Sequence, residues 1–98
     1  MKTITPKVVE ERLRAGELLH IIDVREPEEV AAGKIPGAVN IPLGLIEFRM
    51  HELDKNEEYI LVCRSGGRSG RAAEFLDRYG YQVINMTGGM LAWEGPVE

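Results

Sequence analysis

The chemistry that this sequence can perform centres on its one cysteine. Cys63 ends an apolar run and is followed by small and cationic residues, Arg64-Ser65-Gly66-Gly67-Arg68-Ser69. Small residues and two adjacent glycines let the backbone curl tightly, so that several N–H groups can point at one centre and form an anion-binding nest. The two arginines add positive charge, and a helix that follows the loop adds the positive end of its dipole. These features favour a thiolate over a thiol, so we expect the pKa of Cys63 to lie below its usual value of about 8.5.

A cysteine that its surroundings ionise is a nucleophile that needs no side-chain base. By position alone, a lone cysteine at the end of an apolar strand is more often a buried structural residue. The residues that follow Cys63 favour a nucleophile over a structural residue, because the nest that holds a thiolate would also hold an anionic persulfide. Since the chain has no second cysteine, it cannot resolve an oxidised or sulfurated Cys63 by itself. Any group placed on this sulfur must leave for another molecule.

The length of the loop separates two kinds of cysteine enzyme. Phosphate-transferring enzymes use a C-x5-R loop, which would place the arginine at position 69. Here position 69 is a serine, and the loop arginine is Arg68, one residue earlier. A shorter loop closes a smaller cradle, which suits one sulfur atom better than a tetrahedral phosphate. The glycines of the loop fit neither a phosphate-binding P-loop nor a dinucleotide-binding motif.

Length and composition narrow the class of protein further. The chain has 98 residues, 44% of them hydrophobic, and a net charge of −4, which together predict one globular domain spanning residues 1–98. The acidic balance argues against non-specific nucleic-acid binding. No apolar run approaches the roughly 20 residues that cross a bilayer, and the N-terminus lacks the apolar core of a secretory signal, so we expect a cytoplasmic location with no membrane partner. His20 and His51 have no ligand cluster around them, so we expect no metal and no cofactor.

Strands and helices alternate along the chain. We predict strands over residues 18–24, 59–62 and 81–85 with a short one at 38–40, and helices over 6–14, 43–53 and 68–79 with shorter turns at 26–32 and 90–93. The apolar run 59–62 is expected to be central. This pattern predicts an α/β fold with a small, mainly parallel sheet. Reactive groups in such sheets gather at the carboxyl ends of the strands, which is where Cys63 lies.

Four segments resemble motifs of the rhodanese homology family and occur in the same order as in that family. Together they span nearly the whole chain. Residues 21–29 are similar to its D-V-R-E-x-x-E segment, and residues 33–42 to its G-H/K-I-P-G-A-x-N-I-P segment. Residues 62–69 resemble the catalytic loop of its active sulfurtransferases, and residues 86–93 its closing G-G-x-x-A-W segment. The resemblance implies a three-layer fold, in which helices flank the parallel sheet on both faces.

The same resemblance implies an activity. Cys63 would take sulfane sulfur from thiosulfate or a small persulfide and pass it, as a persulfide, to a thiol, cyanide or a protein acceptor. Arg64 and Arg68 would bind the donor anion and stabilise the departing sulfite. The backbone N–H groups from Arg64 to Ser69, which include Ser65, Gly66 and Gly67, would hold the persulfide.

Three other functions remain open at this point. One is a cysteine phosphatase or arsenate reductase on the same fold, which the loop spacing disfavours. Another is a sulfur-relay or interaction module whose thiol accepts sulfur only from a dedicated protein partner. The third is an anion-binding regulatory domain. For the remaining motif residues we expect structural roles: an ion pair between Asp23 and Arg25, a tight turn at Gly88-Gly89, and packing of Trp93 onto the domain. The alternative for each is a place beside the site, with Asp23 and Arg25 at its mouth, Gly88-Gly89 near the active loop and Trp93 in one wall of the pocket.

Overall fold

A five-stranded sheet lies at the centre of the computed structural model, which describes residues 1–98. All neighbouring strands run parallel, in the order β1-β5-β4-β2-β3. The strands are β1 (Lys2–Ile4), β2 (His20–Asp23), β3 (Val39–Asn40), β4 (Glu58–Val62) and β5 (Gln82–Met86). The apolar run predicted to be central forms β4, which pairs with β2 on one side and β5 on the other.

Four α-helices and three 3-10 turns connect the strands. The helices are α1 (Pro6–Arg14), α2 (Pro27–Ala31), α3 (Ile46–Arg49) and α4 (Gly67–Arg78), and the 3-10 turns are Leu43–Leu45, Met50–Glu52 and Gly89–Ala92. The start of α1 follows the expected pattern: the Thr5 hydroxyl accepts a hydrogen bond from the Val8 N–H, and Pro6 occupies the first turn. No helix is both long enough and apolar enough to cross a bilayer.

The sheet separates two hydrophobic cores, one on each face. Val9 of α1 belongs to one core with Ile60 and Val62, while Leu76 of α4 belongs to the other with Leu61. Successive residues of β4 therefore point alternately to the two sides, as they do in any strand covered on both faces. The three-layer α/β fold expected from the sequence is confirmed, and its sheet is parallel throughout.

One prediction about the elements was wrong, and one strand was missed. Residues 43–53 do not form one helix but a 3-10 turn, the four-residue α3 and a second 3-10 turn. Gly44 disfavours a helix here, and the Leu43 N–H donates to the Val24 carbonyl at 3.0 Å, which ties the start of the segment to the end of β2. The edge strand β1 was not predicted, since its three residues become a strand only by pairing with β5.

Candidate active site

Cys63 follows the last residue of β4 and continues the alternation of that strand. Leu61 and Cys63 belong to the core on the α4 side of the sheet, whereas Ile60 and Val62 face the α1 side. The cysteine is therefore directed beneath the start of α4, and none of its surface is exposed. Its sulfur is therefore buried, with the loop that follows Cys63 covering it.

The loop after Cys63 closes around the sulfur. Gly66 adopts a φ of +101°, which allows the chain to turn back so that its own N–H donates to Cys63 Sγ at 3.0 Å. Ser69 lies in the first turn of α4, and its Oγ is 3.3 Å from the same sulfur. The cradle expected from the sequence is thus built from a backbone donor, a hydroxyl and the N-terminus of a 12-residue helix.

These contacts set the direction in which the pKa of Cys63 moves. Burial alone raises the pKa of this thiol, because it penalises the charged form. The Ser69 hydroxyl and the N–H groups of Ser69, Gly66 and Ser65 act in the opposite direction by stabilising the thiolate, and the net pKa is lowered from its ordinary value. The expectation drawn from the loop sequence is confirmed in sign, and hydrogen bonds are the largest of the contributions that lower the pKa of Cys63.

A buried polar residue that the sequence analysis did not single out lies behind the loop. Asn85 of β5 accepts a hydrogen bond from Ser69 Oγ at 2.6 Å and donates from Nδ2 to the Gly66 carbonyl at 3.1 Å. It therefore contacts Gly66 and Ser69, two of the residues whose donors stabilise the Cys63 sulfur. A signal was present, since Asn85 interrupts the otherwise apolar run Val83-Ile84-Asn85-Met86, but nothing in the sequence says which loop it reaches.

The turn at Gly88-Gly89 supports the loop from its other side. The Met90 N–H donates to the Cys63 carbonyl at 2.9 Å, and the Leu91 N–H donates to the Arg64 carbonyl at 3.0 Å. A Cβ on Gly89 would lie 2.5 Å from the Arg64 carbonyl carbon, so only glycine permits this approach. The tight turn was predicted, and its proximity to the cysteine loop, which was the alternative for Gly88-Gly89, is also found.

Comparison with known proteins identifies the group to which this fold and loop belong. The family model described as a rhodanese-like domain matches residues 5–96. This chain is a member of the rhodanese-like family.

Similar proteins come from several bacteria. The chain is 48% identical over 95 residues to YtwF of Bacillus subtilis, which carries a provisional sulfurtransferase name; the match covers 97% of this chain and 92% of that protein. It is 40% identical to a protein of Allochromatium vinosum named sulfurtransferase, covering 92% and 85% of the two chains. It is 38% identical over 73 residues to PspE of Escherichia coli, named thiosulfate sulfurtransferase, covering 72% and 70%. The crystal structure of a rhodanese-like domain protein from Staphylococcus aureus superposes with a TM-score of 0.94 at 38% identity, over 100% and 97% of the chains.

The two loop arginines of this rhodanese-like domain differ in what they contact. Arg68 forms a bidentate pair with the Glu29 carboxylate, at 2.7 Å and 2.9 Å, which fastens α2 to the start of α4. This pairing lowers the pKa of Glu29 to about 2, mainly through the hydrogen bonds from Arg68. Arg64 is exposed and makes no ion pair.

Asp23 and Arg25 form the ion pair that their spacing suggested. Arg25 Nη2 donates to Asp23 Oδ2 at 2.9 Å and to the Gly33 carbonyl at 2.8 Å, and both side chains are almost completely buried. The pair ties the end of β2 to the segment after α2, and Arg25 Nη1 also donates to the carbonyl of Glu29 within α2 at 3.4 Å. The structural role expected for these two residues is confirmed, and it positions the partner of Arg68.

The histidines lie away from the loop. His20 Nε2 is 3.1 Å from Glu57 Oε2, and His51 Nδ1 is 3.1 Å from the Phe48 carbonyl. No three side chains of the histidine, cysteine, aspartate or glutamate type are grouped so that they could hold a metal ion.

Proposed function

We propose that this protein is a sulfurtransferase that carries sulfane sulfur as a persulfide on Cys63. The observation that carries the proposal is the buried sulfur, which accepts a hydrogen bond from the Gly66 N–H at 3.0 Å and lies 3.3 Å from the Ser69 hydroxyl. These donors stabilise a thiolate, and they would equally stabilise the negative charge of a persulfide. The sulfurtransferase names of several relatives support the same reaction class.

In the first half-reaction, the Cys63 thiolate attacks the outer sulfur of thiosulfate. The new S–S bond forms as the old one breaks, and sulfite departs with the electron pair of the broken bond. One negative charge stays on the enzyme, on the outer sulfur of the persulfide, so no oxidant or reductant is consumed. The name of PspE favours thiosulfate as donor, and a small persulfide would react in the same way.

In the second half-reaction, a nucleophile attacks the outer sulfur and removes it. Cyanide, a thiolate or a thiolate on a protein could serve, and Cys63 leaves as the thiolate with which the cycle began. Because the chain has no second cysteine, the persulfide must be discharged to another molecule. The cycle is therefore of the ping-pong type.

The arginines contribute to different steps. Arg64, exposed and unpaired, would bind the sulfite end of thiosulfate and stabilise charge on the leaving group. Arg68 interacts electrostatically with Cys63, but its guanidinium group is paired with the carboxylate of Glu29. Its contribution to donor binding would therefore be smaller, and its main effect would be to hold the loop in shape. Ser65 and Gly67 would contribute backbone rather than side-chain contacts.

The test is the intact mass of the reduced protein after brief exposure to thiosulfate, with Cys63→Ser as control. We expect the wild type to gain one sulfur atom, which cyanide or a thiol then removes, and the variant to gain none. No gain with thiosulfate or with glutathione persulfide would refute transfer from small donors and favour a relay that depends on a protein partner. A gain of phosphate or arsenate mass on incubation with those anions or a phosphoryl donor would favour the phosphatase or arsenate reductase class instead.

A further inference from the structure

Ser69 Oγ lies between two acceptors, but it has only one hydrogen to donate. Cys63 Sγ is 3.3 Å away on one side, and Asn85 Oδ1 is 2.6 Å away on the other. A distance of 2.6 Å is at the short end for a hydrogen bond between two oxygens, whereas 3.3 Å is an ordinary distance for a hydrogen bond to the larger sulfur atom. Asn85 Oδ1 can only accept, so the hydrogen between the two oxygens must come from Ser69, while at the sulfur the thiol can donate instead. The structure therefore places the hydroxyl hydrogen on the Asn85 side, and the Cys63 thiol can donate its own hydrogen to Ser69 Oγ.

The orientation of the Asn85 amide is fixed by its second contact. Its Nδ2 donates to the Gly66 carbonyl at 3.1 Å, and a carbonyl can accept but not donate. Turning the amide round would bring two oxygens together there, so Oδ1 must face Ser69. Gly70 makes room for this arrangement, because a Cβ at that position would lie 3.2 Å from Asn85 Nδ2. Ser69 and Gly70 lie in the first turn of α4, and Asn85 lies in β5 beside it.

We propose that Asn85 is a positioning residue that limits, through the hydroxyl of Ser69, how strongly the loop stabilises negative charge on Cys63. With a neutral thiol, the chain of hydrogen bonds runs from Cys63 to Ser69 to Asn85. When the thiol proton has left for solvent, the hydroxyl must turn toward the sulfur and give up its bond to Asn85. That lost bond is a cost of forming the thiolate, and no proton passes to Asn85.

This competition has a consequence for catalysis, which rests on the proposed sulfur transfer. A more stabilised thiolate is more abundant but a weaker nucleophile, and the best attacking thiol has a pKa close to the ambient pH. By opposing Ser69, Asn85 keeps the Cys63 thiolate from being overstabilised by the nest. It would act in the same way on the persulfide, leaving its outer sulfur easier to pass on.

A purely structural role for Asn85 predicts the opposite sign. If the residue served only to hold the Gly66 carbonyl, removing it would loosen the Gly66 N–H at the sulfur and raise the pKa of Cys63. If it competes for the Ser69 hydrogen, removing it frees that hydrogen for the thiolate and lowers the pKa. The sign of the shift therefore separates the two roles.

The charged side chains around the loop are the same in the wild type and in a variant at Asn85. They come from the loop, α4, α2 and the end of β2: Arg64, Arg68, Arg71, Glu29, Asp23 and Arg25. Exchanging Asn85 for an apolar residue changes no formal charge among them. A difference in the pKa of Cys63 is then attributable to the hydrogen-bond chain.

The experiment is a double-mutant cycle read out on Cys63 itself. Because the protein has one cysteine, labelling with 13Cβ-cysteine gives a single NMR signal whose shift follows ionisation. We expect Asn85→Leu, a change of similar shape, to lower the pKa of Cys63 by about 0.5 to 1 unit, the size of one neutral hydrogen bond. Ser69→Ala should raise it, and adding Asn85→Leu to Ser69→Ala should give no lowering.

Two results would overturn the proposal. One is a pKa that rises or stays constant in Asn85→Leu, and the other is an equal lowering with and without the Ser69 hydroxyl. Asn85→Val, which also lacks the acceptor, provides the same comparison if the leucine variant does not fold. The titration needs no sulfur donor, so its outcome is independent of whether Cys63 gains sulfur from thiosulfate. Failure of the cycle and failure of the proposed function are thereby distinguishable.

Discussion

Replacing Gly89 by alanine tests whether the closing turn holds the cysteine loop in shape. Gly89 has a φ of +57°, and a Cβ built on it would lie 2.5 Å from the carbonyl carbon and oxygen of Arg64 and 2.6 Å from the carbonyl oxygen of Cys63. These neighbours are backbone atoms, which cannot rotate away as a flexible side chain can. The alanine variant must therefore separate the turn from the loop or shift both.

The expected loss follows from the contacts at risk. Two hydrogen bonds link the turn to the loop, from the Met90 N–H to the Cys63 carbonyl and from the Leu91 N–H to the Arg64 carbonyl. Each is worth about 1 kcal/mol, the left-handed backbone costs an alanine about 1 kcal/mol, and forced displacement of packed atoms adds about 1 to 3 kcal/mol. We expect Gly89→Ala to reduce the free energy of unfolding by about 4 to 6 kcal/mol, a large part of the 5 to 15 kcal/mol usual for a domain.

Gly16 provides a matched control. It also has a positive φ, of +87°, but a Cβ there would meet no atom within 4 Å. Gly16→Ala should therefore show the backbone cost alone, about 1 kcal/mol. Both variants would be measured by urea unfolding at pH 7, followed by the fluorescence of Trp93, with the pH dependence of Cys63 alkylation recorded on each folded protein.

The result that refutes this reasoning is equal destabilisation by the two substitutions. It would mean that the loop accommodates a methyl group at Gly89, so that the turn does not define its shape. In the expected case, Gly89→Ala also raises the pKa of Cys63, because a displaced loop no longer directs the Gly66 N–H at the sulfur. Gly16→Ala should leave that pKa unchanged, since it lies after α1 and outside the loop.

Three further substitutions test the charged groups. Arg64→Ala should lower kcat/KM for thiosulfate about tenfold and reduce its dependence on salt, because an exposed cation no longer meets the donor anion; an unchanged value would exclude Arg64 from donor binding. Arg68 lowers the pKa of Glu29 to about 2, so the stabilisation from this pair is complete above about pH 4.5 and is lost as the pH falls toward 2. Between these pH values the free energy of unfolding of the wild type should fall by about 1 kcal/mol more than that of Glu29→Gln. The difference is small because the pair is partly exposed. Asp23→Asn leaves Arg25 buried without its counter-charge and should cost about 3 kcal/mol in urea unfolding, and a loss below about 1 kcal/mol would contradict a structural role for the pair.

The sequence was sufficient for the features that local chemistry determines. The apolar run of β4, the glycines after Cys63 and the position of the cysteine at a strand end predicted a parallel α/β sheet with a nest at its carboxyl edge. The spacing of Asp23 and Arg25 predicted their ion pair. In each case the deciding residues are close together in the chain, so the interpretation did not depend on how distant segments pack.

The one site residue that was missed, Asn85, and the partners of Gly89 and Arg68 involve contacts between distant segments. Asn85 reaches Ser69 and Gly66 only because β5 lies beside β4 in a particular register, with Ile84 opposite Ile60 and Asn85 opposite Leu61. Gly89 requires its lack of a Cβ because of Arg64, 25 positions earlier. The engagement of Arg68 by Glu29 likewise depends on where α2 comes to lie. A pattern within one segment carries no information about such partners.

The complete burial of Cys63 limits which molecules can take part in the proposed transfer. A thiolate with no exposed surface is attacked or attacks only inside the loop, so the donor must present a slender, singly substituted sulfur, as thiosulfate does. The persulfide adds one sulfur atom about 2 Å farther along the side chain. The sulfur to be transferred would then extend beyond Sγ, within reach of a bulkier acceptor thiolate. Burial would thus select small donors in the first half-reaction while leaving the second open to acceptors of several sizes.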